Sequence, residues 1–276
     1  MKDFFKDKVV WITGSSKGIG KATALLLGEW GARIVLNGRS EDTLQATLTQ
    51  LKEQGIDSIA LPGDISRHEQ CGQMVDKIIS HYGRLDILIN NAGVASMGLF
   101  SDTLPETWER VIAINTLGPI YSTKYSLPHL LRSGGSVIFI SSLGGKVGLP
   151  GHSTYSVSKM ALTSLTRALQ IEFSKKELHT GILYVGFTEN EPDKKIMTPD
   201  GKYLELNKRD YVKTAKREKV AESIARMIFH RRKRKTLSGV GHIQKIIGSI
   251  FPDVIDLILK RQHKKNFQSM YSSDGK

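Results

Sequence analysis

Tyr155 and Lys159 stand four residues apart in the segment Tyr155-Ser156-Val157-Ser158-Lys159. On a helix that spacing puts both side chains on one face, one turn apart. A free tyrosine titrates near pH ~10, too high for easy proton exchange at neutral pH, and an ammonium group beside it favours the phenolate and lowers that value. The pair therefore suits general acid–base work on an oxygen-bearing substrate. Ser142 follows the apolar run Ser136-Val137-Ile138-Phe139-Ile140, where a strand would end. From there its hydroxyl could donate to a carbonyl oxygen that Tyr155 protonates. The same residues admit a plainer account, a core tyrosine and a solvated lysine, and the elements around them decide between the two.

Those elements alternate. Lys8 to Thr13 is a short β-rich run that breaks at Gly14-Ser15-Ser16-Lys17-Gly18-Ile19-Gly20 and passes into a helix former's composition from Lys21. Strand, glycine-rich turn and helix start make a phosphate site, because free backbone amides at a helix N-terminus face the ligand and glycine lets it approach closely. Arg33 to Leu36, Ser58 to Leu61, Leu85 to Ile89, Ser136 to Ile140 and Thr180 to Val185 read as further strands. Glu41 to Gln54, Arg67 to His81, Leu104 to Leu131 with a break near Gly118-Pro119, and Ser153 to Glu177 read as helices. Such alternation predicts an α/β chain with a doubly wound parallel sheet of the Rossmann kind, its ligands at the strands' carboxyl ends. Asp64, the Asn90-Asn91-Ala92-Gly93 cluster and Ser142 all fall at such ends.

Length and composition fit one domain: 276 residues, 39% hydrophobic, provide one large core. The single Cys71 allows no internal disulfide and fits a reducing, cytoplasmic setting. No run of 18 apolar residues is present to span a bilayer as a helix. The net charge of +13 raises nucleic-acid and membrane-surface readings. A nucleic-acid binder is disfavoured, since no recognisable binding motif accompanies the charge and the basic residues concentrate in the tail. From Arg231 to Lys265 ten Lys and Arg stand against Asp253 and Asp256. Between the basic blocks Ile243, Ile246, Ile247, Ile250, Phe251, Val254, Ile255 and Ile258 recur at helical spacing, interrupted near Pro252. An amphipathic helical extension over 236–276 is expected, docking either on protein or peripherally on an anionic membrane.

With these motifs assembled, the sequence resembles the short-chain dehydrogenase/reductases over roughly residues 6 to 235. The matching motifs are Thr13-Gly14-x-x-x-Gly18-Ile19-Gly20, Asp64, Asn90 to Gly93, Asn115, Ser142 and Tyr155-x-x-x-Lys159. Ser141 to Lys159 is most similar to the branch with 11β-hydroxysteroid dehydrogenases and membrane-associated relatives. The resemblance implies an oxidoreductase interconverting a carbonyl and an alcohol, with Tyr155 as proton donor in reduction and Lys159 lowering its pKa and holding the nicotinamide ribose. It also implies that Ser142 steadies the reacting oxygen and that Asn115 holds a water relaying protons to Lys159. Asn115 would otherwise be a cap at a helix break, and Asp64 a turn residue. Cofactor contacts are implied for Gly14, Ser16, Lys17, Gly18, Ile19, Gly20, Arg39, Asp64, Ile65, Asn91, Ala92, Gly93, Tyr155, Lys159, Gly186 and Thr188. A homodimer or homotetramer is implied in the same way. Because the catalytic positions are filled, an enzyme is favoured over a catalytically silent nucleotide-binding regulator of the same fold.

Three local features refine this. An acidic residue after the second strand would accept from NAD's ribose hydroxyls, but here the chain reads Asn37-Gly38-Arg39-Ser40, and Lys17 precedes the second glycine. Two cations at family positions that set this preference point to NADP(H), against a reading as solvated surface charges. After the Thr180–Val185 strand the family's Pro-Gly pair is replaced by Val185-Gly186, which leaves the position of the following loop open. Glu191 to Tyr211 is polar, charged and without clear periodicity, and the segment of about 188–215 around it reads as a substrate lid or a surface insertion. The small, apolar and flexible residues from Gly144 to Gly151 suit a hydrophobic, lipid-like or steroid-like ketone.

Overall fold

Val9, Val10, Trp11 and Ile12 are consecutive and all buried, a pattern that a strand shows only when both its faces are covered. A computed structural model describes residues 1–189, 195–205, 214–237 and Lys260. The strands are β1 (Val9–Ile12), β2 (Arg33–Gly38), β3 (Ser58–Pro62), β4 (Ile87–Asn90), β5 (Ala95–Ser96), β6 (Ser136–Ser142), β7 (His179–Val185), β8 (Lys195–Met197), β9 (Tyr203–Glu205) and β10 (Arg234–Leu237). The helices are α1 (Lys2–Phe5), α2 (Gly18–Glu29), α3 (Glu41–Glu53), α4 (His68–Tyr82), α5 (Pro105–Ile112), α6 (Gly118–Arg132), α7 (Ser153–Glu172) and α8 (Arg217–Phe229).

Seven strands form one parallel sheet in the order β10-β7-β6-β4-β1-β2-β3. Alternate residues feed two cores: Val10, Ile12, Ile34 and Leu36 pack with α2, α3 and α8, while Val9, Trp11, Leu88 and Phe139 pack on the α4, α6 and α7 side. The chain runs outward through β2 and β3 and then returns to build β4, β6, β7 and β10 on the other side of β1. The reversal between β1 and β4 opens a crevice at the carboxyl ends, where ligands of such sheets bind. This is the doubly wound Rossmann architecture expected from the alternation.

The differences from expectation are local. The break expected near Gly118-Pro119 falls just before that pair, as a wider π-type turn over Ala113–Leu117 that carries Asn115. Helix α7 ends at Glu172 rather than Glu177, because Phe173 turns back onto the core and the polar residues after it have no apolar face to bury. Strand β10 crosses the boundary drawn at residue 235 and ends at Leu237, paired with Val185. The amphipathic stripe of the tail lies outside the described residues. The described residues of the segment 188–215 hold more regular structure than its composition suggested. Its two ends are joined at Thr188 and Ala215, with Ala215 N–H donating to Phe187 at 2.9 Å. Its middle forms β8 and β9, which pair antiparallel, and β8 pairs with β5. The N–H of Leu104 and the hydroxyl of Thr107 both donate to the Pro199 carbonyl, at 3.0 and 2.9 Å, and anchor this small sheet to the start of α5.

His179, buried at the start of β7, ties three strands together. One ring nitrogen donates to the Arg232 carbonyl at 3.1 Å, so the other accepts from the Ser136 hydroxyl at 3.1 Å. Burial holds this ring neutral, with its pKa lowered to about 4; the Arg232 bond works the other way and the Arg231 charge adds to the lowering. The unfolded histidine binds its proton below about pH 6.5, so stability is complete above that value and is lost as pH falls toward 4. The shift corresponds to about 3 kcal/mol. In denaturant titrations across this window, His179→Gln is expected to show a shallower fall in unfolding free energy than the parent by about that amount. Parallel pH profiles for the two proteins would contradict it.

Candidate active site

The site is built where β1 and β4 end side by side. The Thr13 hydroxyl oxygen accepts from the N–H groups of Asn91 and Ala92 at 3.0 and 3.1 Å. In return the Asn91 side-chain amide donates to the Thr13 and Gly14 carbonyls at 3.0 and 2.9 Å. Gly14 has φ +63°, and a Cβ there would come within 2.7 Å of the Ala92 Cα, so no other residue fits between the two turns. Gly18 also has φ +63°, but nothing lies within 4 Å of where its Cβ would be. Its Cα therefore faces open space at the first residue of α2. Ser15, buried beneath, donates to the Ile12 carbonyl and accepts from Asn37 N–H, both at 2.9 Å.

Above this frame lies an open cleft of about 820 Å³. Its walls include Gly14, Ser16, Lys17, Gly18 and Ile19 from the turn, Arg39 after β2, and Asp64 and Ile65 after β3. Asn91, Ala92 and Gly93 after β4, and Thr188 after β7, complete the predicted cofactor contacts on the wall. Gly20 is placed differently. It is buried behind the turn, where a side chain would collide with the Gly14 carbonyl and the Asn91 amide, so it serves packing rather than the wall. Asp64 combines wall and turn: one carboxylate oxygen accepts from the Ser66 N–H and hydroxyl at 2.9 and 2.8 Å. Asn90 points away, its amide donating to Thr123 at 3.0 Å inside the core. Gly186 leads from β7 into the bridge at Thr188.

Two of the four expected catalytic side chains, Lys159 and Asn115, meet behind Gly93. A Cβ on Gly93 would sit 3.1 Å from the Lys159 amine and 3.0 Å from the Asn115 amide oxygen. Lys159 is buried and donates to the Ile140 carbonyl at 3.1 Å. Asn115 is fully engaged: its oxygen accepts from Val94 N–H at 2.8 Å, and its amide donates to the Val94 carbonyl at 2.8 Å and to Ser158 at 3.0 Å. Its side chain is therefore already occupied by protein groups. Ser142, the last residue of β6, accepts from Gly144 N–H at 3.3 Å and hydrogen-bonds the Tyr155 phenol.

The electrostatics depart from expectation. Tyr155 was expected to be lowered by Lys159, yet burial dominates and raises it, with the Ser142 bond opposing. A buried phenolate loses more hydration than the neighbouring groups return. The phenol is therefore protonated at neutral pH, the state in which a proton donor must start. Burial also pulls the Lys159 amine down to about 8. Residues outside the expected set line the cleft as well, among them Lys195, Tyr203 and Arg217. They come from segments whose position only strand pairing reveals.

Residues 8–200 match the family model described as short chain dehydrogenase. The chain is 34% identical over 223 residues to the 11-beta-hydroxysteroid dehydrogenase-like 2 protein of Arabidopsis thaliana, covering 80% of this chain and 70% of that one. Among solved structures it is similar to an alcohol dehydrogenase of Thermococcus sibiricus complexed with 5-hydroxy-NADP, with a TM-score of 0.74, 25% identity, and 84% of this chain and 96% of that one covered. A short-chain dehydrogenase/reductase of Burkholderia phymatum in complex with NAD has the same fold, with a TM-score of 0.77 at 22% identity, covering 93% and 96% of the two chains.

Burying Lys159 has a measurable cost. Its native value near 8 lies below the ordinary lysine value of 10.5, so the unfolded state binds the proton more tightly. The penalty is full below pH 8, shrinks as pH rises toward 10.5, and is about 3 kcal/mol. Lys159→Met removes it and leaves the Ile140 carbonyl unpaired, at about 1 kcal/mol. The variant is expected to be more stable than the parent at pH 7 by about 1–2 kcal/mol, with the advantage gone near pH 10.5. Thermal unfolding at the two pH values checks this, and a variant less stable at pH 7 would refute it.

Proposed function

The chain belongs to the short-chain dehydrogenase family, and from that premise we propose that it is an NADP(H)-dependent carbonyl reductase that acts on a hydrophobic ketone and uses Tyr155 as its proton donor. The observation that carries this reading is that Ser142 bonds the Tyr155 phenol, one helical turn from Lys159, whose amine lies behind Gly93 on the wall of a cleft that a glycine turn and a helix start also line. The cleft suits a dinucleotide. The absence of a side chain at Gly18 leaves room for a pyrophosphate at the first turn of α2, and Gly14 keeps the turn close to Ala92. Lys17 and Arg39 are exposed on its wall where a 2′-phosphate would need cations, and Asn37 and Gly38 provide no carboxylate to repel one.

When bound, the nicotinamide supplies the hydride that converts a carbonyl to an alcohol. The chain's own residues do the rest. Ser142 donates to the substrate oxygen in place of its present bond to Tyr155, and Tyr155 gives that oxygen its proton. Lys159, charged at neutral pH and held against the Ile140 carbonyl, stabilises the phenolate that is left behind. Asn115 fixes Val94 and Ser158, and with them the wall past which Lys159 reaches the cleft. Exposed Phe187, Tyr203 and Leu204, on the segment that follows β7, support an apolar substrate.

Tyr155→Phe keeps the ring but removes the transferable proton. Turnover of a carbonyl substrate with NADPH should fall by about 10²–10⁴-fold while NADPH affinity stays within a few-fold. Near-normal turnover would eliminate Tyr155 as the donor. Arg39→Asp should weaken NADPH and improve NADH in fluorescence titrations, and equal affinities in the unmutated chain would refute the NADP(H) preference.

A further inference from the structure

A basic surface forms at the amino edge of the sheet, opposite the cleft. Two connections lead into the adjoining strands β7 and β10, residues 173–178 and 230–233. They carry Lys175, Lys176, Arg231, Arg232 and Lys233 against the carboxylate of Glu177, and Arg234 opens β10. All of these are exposed. Arg231 staples the two connections together. Its guanidinium donates to the Gly134 carbonyl at 3.1 Å and to the Glu177 carbonyl, bonds that offset its left-handed backbone at φ +48°. The other cations therefore share one surface, with Arg132 two residues before Gly134. Apolar side chains stand next to it. The Phe4 ring of α1 lies 5.5 Å from that of Phe229, the last residue of α8, which leads directly into His230 and Arg231. Met1, Phe4 and Phe229 are 40%, 38% and 37% exposed. The Lys8 amine is 5.9 Å from the Phe4 ring, and Lys2 and Lys6 are exposed on the same short stretch. Several carboxylates of this edge are already paired: Asp86 is buried against Lys8 and Arg84, and Arg33 meets Asp7 at 3.2 Å and Asp57 at 3.7 Å. Asp3, Glu172 and Glu177 stay exposed among the cations.

Single apolar side chains on a surface need no explanation, but a contiguous group rimmed by cations does. Four strand spacings separate β10 from β1 in the sheet order, so the surface is roughly 19 Å across. We propose that this edge docks on an anionic membrane, with Met1, Phe4 and Phe229 entering the headgroup boundary and the surrounding lysines and arginines set against lipid phosphates. Charge complementarity fixes the sign of the partner. The apolar group favours lipid over nucleic acid, whose phosphate backbone gives an exposed methionine nothing to bury against. Docked in this way, the molecule turns the carboxyl edge of the sheet away from the bilayer, and ligands of the cleft arrive from water. None of these residues lines the cleft, so the docking is independent of the chemistry proposed there.

Lys176 and Lys233 hold their connections by main-chain bonds, and Lys175, like them, has an exposed side chain. Replacing all three by Gln therefore leaves the fold intact, which circular dichroism verifies. The full chain, the triple variant Lys175→Gln/Lys176→Gln/Lys233→Gln and Phe4→Ser are sedimented with phosphatidylcholine vesicles, with and without phosphatidylserine, at low and high salt. The unmutated chain is expected to bind the vesicles that contain phosphatidylserine and to release them as salt rises. Each cation near such a surface contributes about fivefold, so the triple variant should bind roughly 100-fold more weakly. Phe4→Ser should weaken binding several-fold at low and high salt alike, because apolar contact is not screened. Equal binding to the two kinds of vesicle, or unchanged binding by either variant, would overturn docking at this edge. Displacement from the vesicles by a short DNA duplex at equal phosphate concentration would overturn it in favour of a nucleic-acid surface.

Discussion

The hydrogen-bonded lock between Thr13 and Asn91 governs everything at the carboxyl edge of the sheet. One hydroxyl oxygen receives two amides from the end of β4, and one side-chain amide returns two bonds to the end of β1. These groups are buried or partly buried, so leaving any of them unpaired would cost roughly 1–3 kcal/mol. The lock holds the two turns at a distance that only glycine at position 14 tolerates, with Gly20 completing the contact from behind. It thereby sets the width of the cleft floor, the direction in which α2 starts, and the position of Gly93, past which Lys159 reaches.

From that frame follows a tension between stability and chemistry. Lys159 is buried among Ile140, Gly93 and Asn115, a setting that penalises its charge, and Tyr155 is partly buried in a setting that penalises the phenolate. A fold selected for stability alone would place neither there. The arrangement is understandable where a substrate oxygen must be protonated out of contact with water, so that the donor starts protonated and the charge left behind faces a fixed cation. Asn115 contributes by rigidity. With its amide fully bonded to Val94 and Ser158, it joins the β4 loop to α7 and keeps the pocket from relaxing around the lysine.

Much of this was legible in the residues. The regular exchange of buried runs and helical stretches specified the parallel sheet, because a strand covered on both faces leaves a near-continuous apolar signature. The glycine turn, Asn91 to Gly93 and Ser142 stand at strand ends as their runs implied, and Tyr155 and Lys159 share a helix, one turn apart in α7. What escaped notice depends on three-dimensional context. Strands β5, β8 and β9 have only two or three residues, too few for alternation to show. Helix α8 carries a clear stripe, Val220, Ala221, Ile224, Ala225 and Ile228, but stands between a polar loop and a basic run that drew attention away from it. The sign of the Tyr155 shift could not be read from spacing, since a neighbouring cation and burial act in opposite directions and only burial depth decides. Gly20 illustrates the same limit: the motif contains three glycines, and only the fold distinguishes the one that packs from those that face the ligand.

The most direct test of the account follows the hydrogen atom itself. Reduced cofactor carrying deuterium at the transferable C4 position, incubated with the purified chain and a mixture of hydrophobic ketones, should yield at least one alcohol bearing a single deuterium on the carbinol carbon by mass spectrometry. That product requires the dinucleotide cleft and the Ser142–Tyr155–Lys159 group to work on one substrate. A chain that binds the cofactor yet forms no deuterated alcohol across a broad panel would contradict the account, and would leave the fold as a nucleotide-binding module without reductase chemistry.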